Sequence, residues 1–237
     1  MWMIVLSGLF SCTKSTTGSE GSVSFVISSD QYLADITKSN VSDYTTLPGS
    51  DDFVLTVNNS AGNAVWRGKA SEWDPATKLI VGEYRVTASY GNIEDEGFDK
   101  PCFEGTQTFT IKNKETSQVT VSASLANTVI KIACTDNLKN YYKDYTFKLS
   151  RNNADIVTFA KGESRAAFID GYKVTVNGTF VTESGAEKTF SKDYTGLAAA
   201  TAYNMVFDVA GVGNGAITIS FNNNVETIEL GDVELND

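Results

Sequence analysis

The sequence predicts an all-β protein, organised as two tandem β-sandwich domains with Greek-key connections and a short helix near residues 137–143. Two observations carry this prediction. Apolar residues recur with a period of two rather than the helical period of about 3.6, and the order of the segments repeats along the chain. The composition agrees, because 41% of the 237 residues are hydrophobic and only three are proline. That apolar content suffices for one large hydrophobic core or two modest ones.

Short segments rich in β-branched and aromatic residues predict the strands of the first domain. Turn-forming residues separate these segments and supply the backbone conformations that chain reversal requires, as in Asn58–Asn63. The predicted strands are Ser22–Ile27, Phe53–Val57, Tyr84–Tyr90, Thr108–Ile111 and Val119–Ser122.

The order of strands then repeats in the second half of the sequence. The matched segments are Phe53–Val57 with Tyr145–Leu149, Tyr84–Thr87 with Tyr172–Thr175, and Val119–Ala123 with Met205–Val209. Their displacements of 92, 88 and 86 positions are nearly constant, which favours two successive domains. We therefore predict a signal peptide at residues 1–11, a flexible tether at 12–21, an N-terminal sandwich at 22–126 and a C-terminal sandwich at 127–237.

One segment departs from the strand pattern. Asp136 suits a helix N-cap, and Leu138, Tyr141 and Tyr142 follow at helical spacing. The two tyrosines are expected to close one end of the second sandwich by packing. Their alternative use is as an aromatic platform for sugar rings.

The N-terminus predicts a bacterial lipoprotein processing site. The apolar run Trp2–Phe10 suits an export signal, the small Ser11 suits the peptidase, and Cys12 follows as the residue that is acylated before cleavage. Thr13–Gly21 lacks aromatic and aliphatic residues and has the composition of a flexible tether. We therefore expect the chain to be anchored in the outer membrane through lipid on Cys12. The alternative is an ordinary hydrophobic N-terminus.

Charge and residue usage exclude several classes of function. The 29 acidic and 19 basic residues give a formal charge of −10, and the chain lacks the basic face that a nucleic-acid partner would require. Histidine is absent, which removes the nucleophilic relays and the commonest zinc ligands. We predict a protein without catalytic residues, cofactor or bound metal.

The two remaining cysteines, Cys102 and Cys134, are too few for a disulfide framework. Cys134 lies on an alternating strand with Ile130 and Ile132, where a thiol is expected to be buried as a small hydrophobic group. A Cys102–Cys134 bridge stays open as an alternative.

Two groups of residues are candidates for binding. Glu94–Glu96 and Asp99 could hold Ca²⁺ or supply a glycosidase pair, but their spacing matches no calcium loop, which favours a solvated acidic loop. Four aromatic residues could stack on a glycan. Trp66 alternates with Arg67 in a predicted strand, which favours a core position for Trp66. The candidate aromatic residues are Trp66, Trp73, Tyr90 and Phe98.

Four segments together resemble a family of Bacteroidetes lipoproteins whose domain has no assigned function. The resemblance implies an envelope lipoprotein built from sandwiches similar to fimbrillins and their anchoring subunits, in keeping with the fimbrillin-like or immunoglobulin-like fold predicted above, and it implies no catalytic residues. The segments are Trp66–Trp73, Gly82–Gly91, Glu96–Gly105 and Leu125–Thr128.

Two functions are consistent with these expectations. In the first, the protein is a structural or adhesive component of the cell surface, and an exposed sheet edge pairs with a strand of another envelope or fimbrial protein. In the second, it is a glycan-binding accessory lipoprotein of a polysaccharide-uptake system.

Overall fold

The structure is a computed structural model that describes residues 18–29, 33, 39–210, 216–221 and 224–232. Within these residues the chain forms eighteen β-strands and one short α-helix, so the predicted all-β class is confirmed. The predicted signal peptide, Cys12 and the tether as far as residue 17 lie outside the described residues.

Eight strands precede the junction between the two sandwiches, together with 3₁₀ turns at Val41–Asp43, Ser50–Asp52 and Ala70–Glu72. The strands are β1 (Glu20–Ser29), β2 (Val54–Asn59), β3 (Ala64–Lys69), β4 (Leu79–Ile80), β5 (Gly82–Tyr90), β6 (Gly97–Phe98), β7 (Phe103–Ile111) and β8 (Thr116–Leu125).

Seven of these strands form the N-terminal sandwich, in the order β3-β2-β5-β7-β8-β1-β4. This seven-stranded sheet folds over on itself at a corner between β7 and β8. The two strands pair there at Phe103–Leu125 and Glu104–Ser124. The two sides then enclose one core, because alternate residues such as Val57, Val86 and Val121 are fully buried.

The second part contains the helix α1 (Asp136–Tyr141) and ten strands. The strands are β9 (Thr128–Cys134), β10 (Asp144–Arg151), β11 (Ala154–Ala160), β12 (Ala167–Ile169), β13 (Lys173–Val181), β14 (Glu187–Thr195), β15 (Thr201–Val209), β16 (Ala216–Phe221), β17 (Asn224–Glu229) and β18 (Gly231–Asp232).

The C-terminal sandwich has two sheets, ordered β11-β10-β13-β14-β18 and β17-β16-β15-β9-β12-β6. Its core is centred on aromatic side chains, with the rings of Phe147 and Phe207 4.3 Å apart and those of Phe147 and Phe180 5.6 Å apart. Each sandwich is thus layered around a hydrophobic core. Residues of the second part also pack into the core of the first, namely Val129, Ala166, Phe168 and Ala202.

The internal repeat is visible in the strand pairing. In both sandwiches the last repeated strand pairs in parallel with the strand that begins the sandwich, β8 with β1 and β15 with β9. The pairing also corrects the displacement of 92 positions predicted between Phe53–Val57 and Tyr145–Leu149. Leu55 pairs with Ala88, and Leu149 pairs with Val176. Leu55 therefore corresponds to Leu149, a displacement of 94 positions rather than 92, while Ala88 and Val176 keep the displacement of 88.

The predicted helix is present, but its N-cap is different. Thr135, not Asp136, occupies the N-cap position, and its hydroxyl accepts a hydrogen bond from the Leu138 amide at 3.2 Å. Tyr142 is buried, and its ring centroid lies 4.8 Å from that of Phe180. The packing role predicted for this tyrosine is therefore the one that the structure shows.

The two sandwiches close their equivalent corners differently. In the C-terminal sandwich, β16 pairs with β15 and β18 pairs with β14. Strands from the end of the chain therefore lie at the corner between β14 and β15. In the N-terminal sandwich β7 and β8 approach each other directly. Gly105 permits this approach, since a Cβ atom there would lie 2.2 Å from the carbonyl oxygen of Ser122.

Candidate functional site

The acidic loop between β5 and β7 joins the two sandwiches. The Arg151 guanidinium donates to both carboxylate oxygens of Glu96, at 3.0 and 2.9 Å, and it also donates to the carbonyl oxygen of Asp170. The amide of Asp170 donates to Glu96 at 2.7 Å. Glu96 is therefore an anchoring residue, and the prediction that this loop is simply solvated is wrong at this position.

Phe98 follows in the same loop and belongs to β6, which pairs with β12 of the C-terminal sandwich. Its ring packs edge-on against Phe159 at 4.9 Å, and the Arg165 guanidinium covers it at 4.4 Å. Arg165 also donates to Asp99 at 3.0 Å and to Glu163 at 2.8 Å. Hydrogen bonds from Arg165 lower the pKa of Glu163 to about 2. We call Glu96, Phe98, Asp99, Arg151 and Arg165 the clasp.

The chain crosses between the sandwiches at Asn127, which is 0% exposed. Its side-chain oxygen accepts a hydrogen bond from the Cys102 amide, and its carbonyl oxygen accepts one from the Ala200 amide at 2.8 Å. These contacts lie next to the predicted boundary at residues 126 and 127, and that boundary stays a prediction.

The two candidate tryptophans belong to the first core rather than to an open platform. Trp73 is only 7% exposed, and its indole nitrogen donates to the carbonyl oxygen of Val23 at 2.9 Å. Trp66 is half-buried and meets Trp73 edge-on at 5.0 Å. Phe25 continues the cluster at 5.1 Å from Trp73. Trp73 is therefore the more deeply buried of the two, although the sequence pattern favoured Trp66 for the core.

Tyr90 lies apart from both tryptophans and from Phe98. It packs against Phe53 and Phe103, with ring centroids 5.9 and 6.3 Å away, and lines an open hollow of about 800 Å³ that also includes Asp99. The four predicted aromatic residues thus occupy three separate places. The structure does not bring them together on one glycan-binding face.

A second hollow, of about 660 Å³, lies at the end of β2, β5 and β7 beneath the turn that follows β2. We call it the sheet-face hollow. Sequence reasoning did not single it out, because its polar residues come from three strands that are distant in the chain. Its lining includes Asn58, Glu83, Arg85, Thr108, Phe109 and Thr110.

The sheet edges differ in how well they are protected against pairing with another chain. Of the six strands at sheet ends, β4, β6 and β18 are two residues long, and β3 and β11 pair with their neighbours across a β-bulge. The sixth, β17, pairs in regular register with β16 from Asn224 to Glu229. It is therefore the one long, unbulged edge in the described part of the chain.

Both described cysteines are free thiols, so the alternative of a Cys102–Cys134 bridge is not realised. Burial raises the pKa of the Cys102 thiol, with a smaller contribution from Glu104. Burial likewise raises the pKa of Cys134 from 9.0 to about 11. The positive charge of Lys139 lowers the pKa of Cys134 by a smaller amount than burial raises it, so neither thiol has the lowered pKa of a reactive cysteine.

Alkylation of Cys134 by iodoacetamide at pH 8 is expected to be about 100-fold slower in the folded protein than in the chain unfolded in urea, because only the thiolate reacts. The neutral thiol stabilises the fold fully below pH 9, and this contribution is lost as pH rises toward about 11. Mass spectrometry of timed reactions measures both rates. Equal rates in the two states would show that burial does not protect the thiol.

Among the described residues, no three side chains of the metal-ligating types cluster closely enough to hold an ion. The same residues contain no helix with the length and apolar character needed to cross a membrane.

The fold and the joined sandwiches define an all-β tandem-sandwich protein. The chain belongs to the family DUF4493, a domain of unknown function, whose model matches residues 19–236. This confirms the predicted membership of a family without an assigned function. A search of curated proteins gives no match.

Several solved structures of Bacteroides proteins are similar to the chain over most of its length. A candidate polysaccharide-binding protein (DUF1812) from Bacteroides thetaiotaomicron has 11% identity and a TM-score of 0.47, covering 89% of this chain and 98% of its own. A candidate adhesin from Bacteroides ovatus has 10% identity, TM-score 0.45 and coverages of 89% and 95%. A candidate cell adhesion protein from Bacteroides eggerthii has 9% identity, TM-score 0.46 and coverages of 90% and 96%.

Proposed function

We propose that the protein is a lipid-anchored component of the cell envelope with a non-catalytic, structural or adhesive role. In this role, the edge of β17 pairs with an extended strand of another envelope protein. The regular, unbulged register of β17 at the end of its sheet is the observation that carries the proposal. Such an edge presents free main-chain donors and acceptors to a partner strand.

The side chains of β17 agree with this role. Val225 is 67% exposed, so an apolar side chain is available beside the unpaired main chain. The protected edge β3 instead carries Arg67 and Lys69 next to its exposed Val65. Charge on an edge strand discourages pairing; β17 contains neither lysine nor arginine, and the carboxylate of its Glu226 is neutralised by an ion pair with Lys192 of β14.

The clasp adds a mechanical argument for a structural role. It joins the sandwich that follows the tether to the sandwich that carries β17 through a strand pair, ion pairs and an aromatic contact. A surface protein that holds a partner away from its membrane has to transmit force between its domains. The anchor itself is proposed from the predicted processing site that ends at Cys12.

Two experiments in the organism that produces the protein test the two parts of the proposal. With an alkyne analogue of palmitate, we expect the wild type to be labelled and Cys12→Ala to be unlabelled and released from the membrane fraction. With an amine-reactive crosslinker on intact cells, we expect Val225→Asp to reduce crosslinked complexes at least tenfold, because charge disfavours strand addition.

Val65→Asp is the matched control, since it places the same charge on the protected edge β3, where the native valine is 43% exposed. It should leave the crosslinked complexes unchanged. Equal labelling of wild type and Cys12→Ala would contradict the anchor. A strictly monomeric wild type, or complexes unaffected by Val225→Asp, would contradict the pairing role.

A further inference from the structure

The sheet-face hollow collects polar side chains that have no partner within the protein. Asn58, Arg85 and Thr108 lie side by side across β2, β5 and β7, and Glu83 faces Thr110 in the next row. In the part of the chain that the structure describes, none of these five side chains has a hydrogen bond or ion pair. Donors and acceptors are thus arranged on one concave surface without being used for folding.

The internal repeat shows that this arrangement is not a necessity of the fold. With the displacement of 88 positions, Arg85 corresponds to Lys173 in the C-terminal sandwich. Lys173 forms an ion pair with Asp193 at 2.6 Å, and Asp193 also accepts a hydrogen bond from Thr175. The residue facing Thr87 in the equivalent position is Thr106, which carries no charge. The basic residue at this sheet position is therefore ion-paired in the C-terminal sandwich and has no ion pair in the N-terminal sandwich.

We propose that the sheet-face hollow binds a neutral glycan. Its volume of about 660 Å³ lies within the range of about 300–1,000 Å³ that ligand sites occupy. Amide, guanidinium, carboxylate and hydroxyl groups together match the alternating donors and acceptors of sugar hydroxyls. The ring of Phe109 lies on the opposite, core-facing side of the sheet, stacked on Tyr84 at 5.7 Å and 5.6 Å from Phe25, so the contacts that the hollow offers to a sugar are polar.

Charge favours a neutral rather than an acidic glycan. Arg85 and Glu83 contribute one charge of each sign to the hollow, and the chain as a whole carries a formal charge of −10. A polyanion would be repelled by the protein and would meet Glu83 within the site. The inference goes beyond the strand-edge role and does not depend on it.

The test is binding of the purified chain to an array of neutral, sialylated and sulfated glycans, followed by calorimetric titration of the strongest neutral binder. We expect binding to neutral glycans, with Kd raised at least tenfold by Arg85→Ala and by Asn58→Ala. Arg67→Ala is the matched control, because this exposed arginine lies on the neighbouring strand β3 outside the hollow. It should leave Kd unchanged.

Three results would overturn the inference: no neutral glycan bound, binding confined to acidic glycans, or unchanged affinity in the folded Arg85→Ala variant. Thermal unfolding establishes that each variant is folded. Should Arg85→Ala fail to fold, Thr108→Val removes a hydroxyl of the same hollow and is expected to weaken binding. The Val225→Asp variant should bind the glycan normally, which separates this site from the strand edge.

Discussion

Replacing Arg151 with alanine is expected to lower the free energy of unfolding by about 2–3 kcal/mol. The guanidinium forms a bidentate pair with Glu96, and the two side chains are only 30% and 16% exposed. Its loss leaves a largely buried carboxylate with one remaining donor, the Asp170 amide. The partial exposure of the pair keeps the loss below that of a fully buried one. Denaturant unfolding followed by circular dichroism measures the change.

Lys148→Ala is the control for this substitution. Lys148 lies on the same strand as Arg151 and pairs with Asp155 at 2.7 Å, but both partners are about half exposed. Its loss should therefore cost less than about 1 kcal/mol. Equal losses in the two variants would show that the clasp is no stronger than a surface ion pair.

The Arg151→Ala variant should also weaken the coupling between the sandwiches. Trp66 and Trp73 both report on the N-terminal core, so tryptophan fluorescence follows that sandwich while circular dichroism follows both. In a wild-type chain that begins at residue 12, and therefore lacks Trp2, the two signals are expected to change together. In the variant, fluorescence and circular dichroism should have different midpoints, because each sandwich keeps its own core.

The strands that could be predicted from the sequence are those whose own residues specify them. β5 alternates buried Tyr84, Val86 and Ala88 with more exposed residues, so a period of two is visible in the sequence alone. The two-residue strand β6 carries no such period. It is extended because it pairs with β12, a contact between residues about seventy positions apart.

The candidate sites were harder to predict for the same reason. The arginine partners of the acidic loop lie 55 and 66 positions away, and nothing local marks Arg151 or Arg165 as a partner. Trp73 follows a 3₁₀ turn rather than an alternating strand, so periodicity gave no information on its burial. The sheet-face hollow depends on the register of three strands, which the sequence of each strand does not contain.

Gly105→Ala is expected to destabilise the N-terminal sandwich by about 3 kcal/mol, at the upper end of overpacking substitutions. The added Cβ would lie 2.2 Å from the Ser122 carbonyl oxygen and 2.8 Å from the Cα atom of Ala123. Both atoms belong to the main chain of β8, so no side-chain rotation relieves the contact. Strands β7 and β8 must separate at the corner that closes the core, which chemical denaturation would detect as a lower midpoint.

Gly185→Ala separates this steric effect from the loss of glycine itself. Gly185 has a φ of +90°, and a Cβ there would meet no atom within 4 Å. Its cost is the backbone strain of a left-handed conformation, about 1–2 kcal/mol. Because of the contact at the corner, we expect Gly105→Ala to lower the free energy of unfolding more than Gly185→Ala does. We also expect faster hydrogen exchange of the β8 amides in Gly105→Ala. A loss no greater than that of Gly185→Ala would mean that the corner opens without affecting the core.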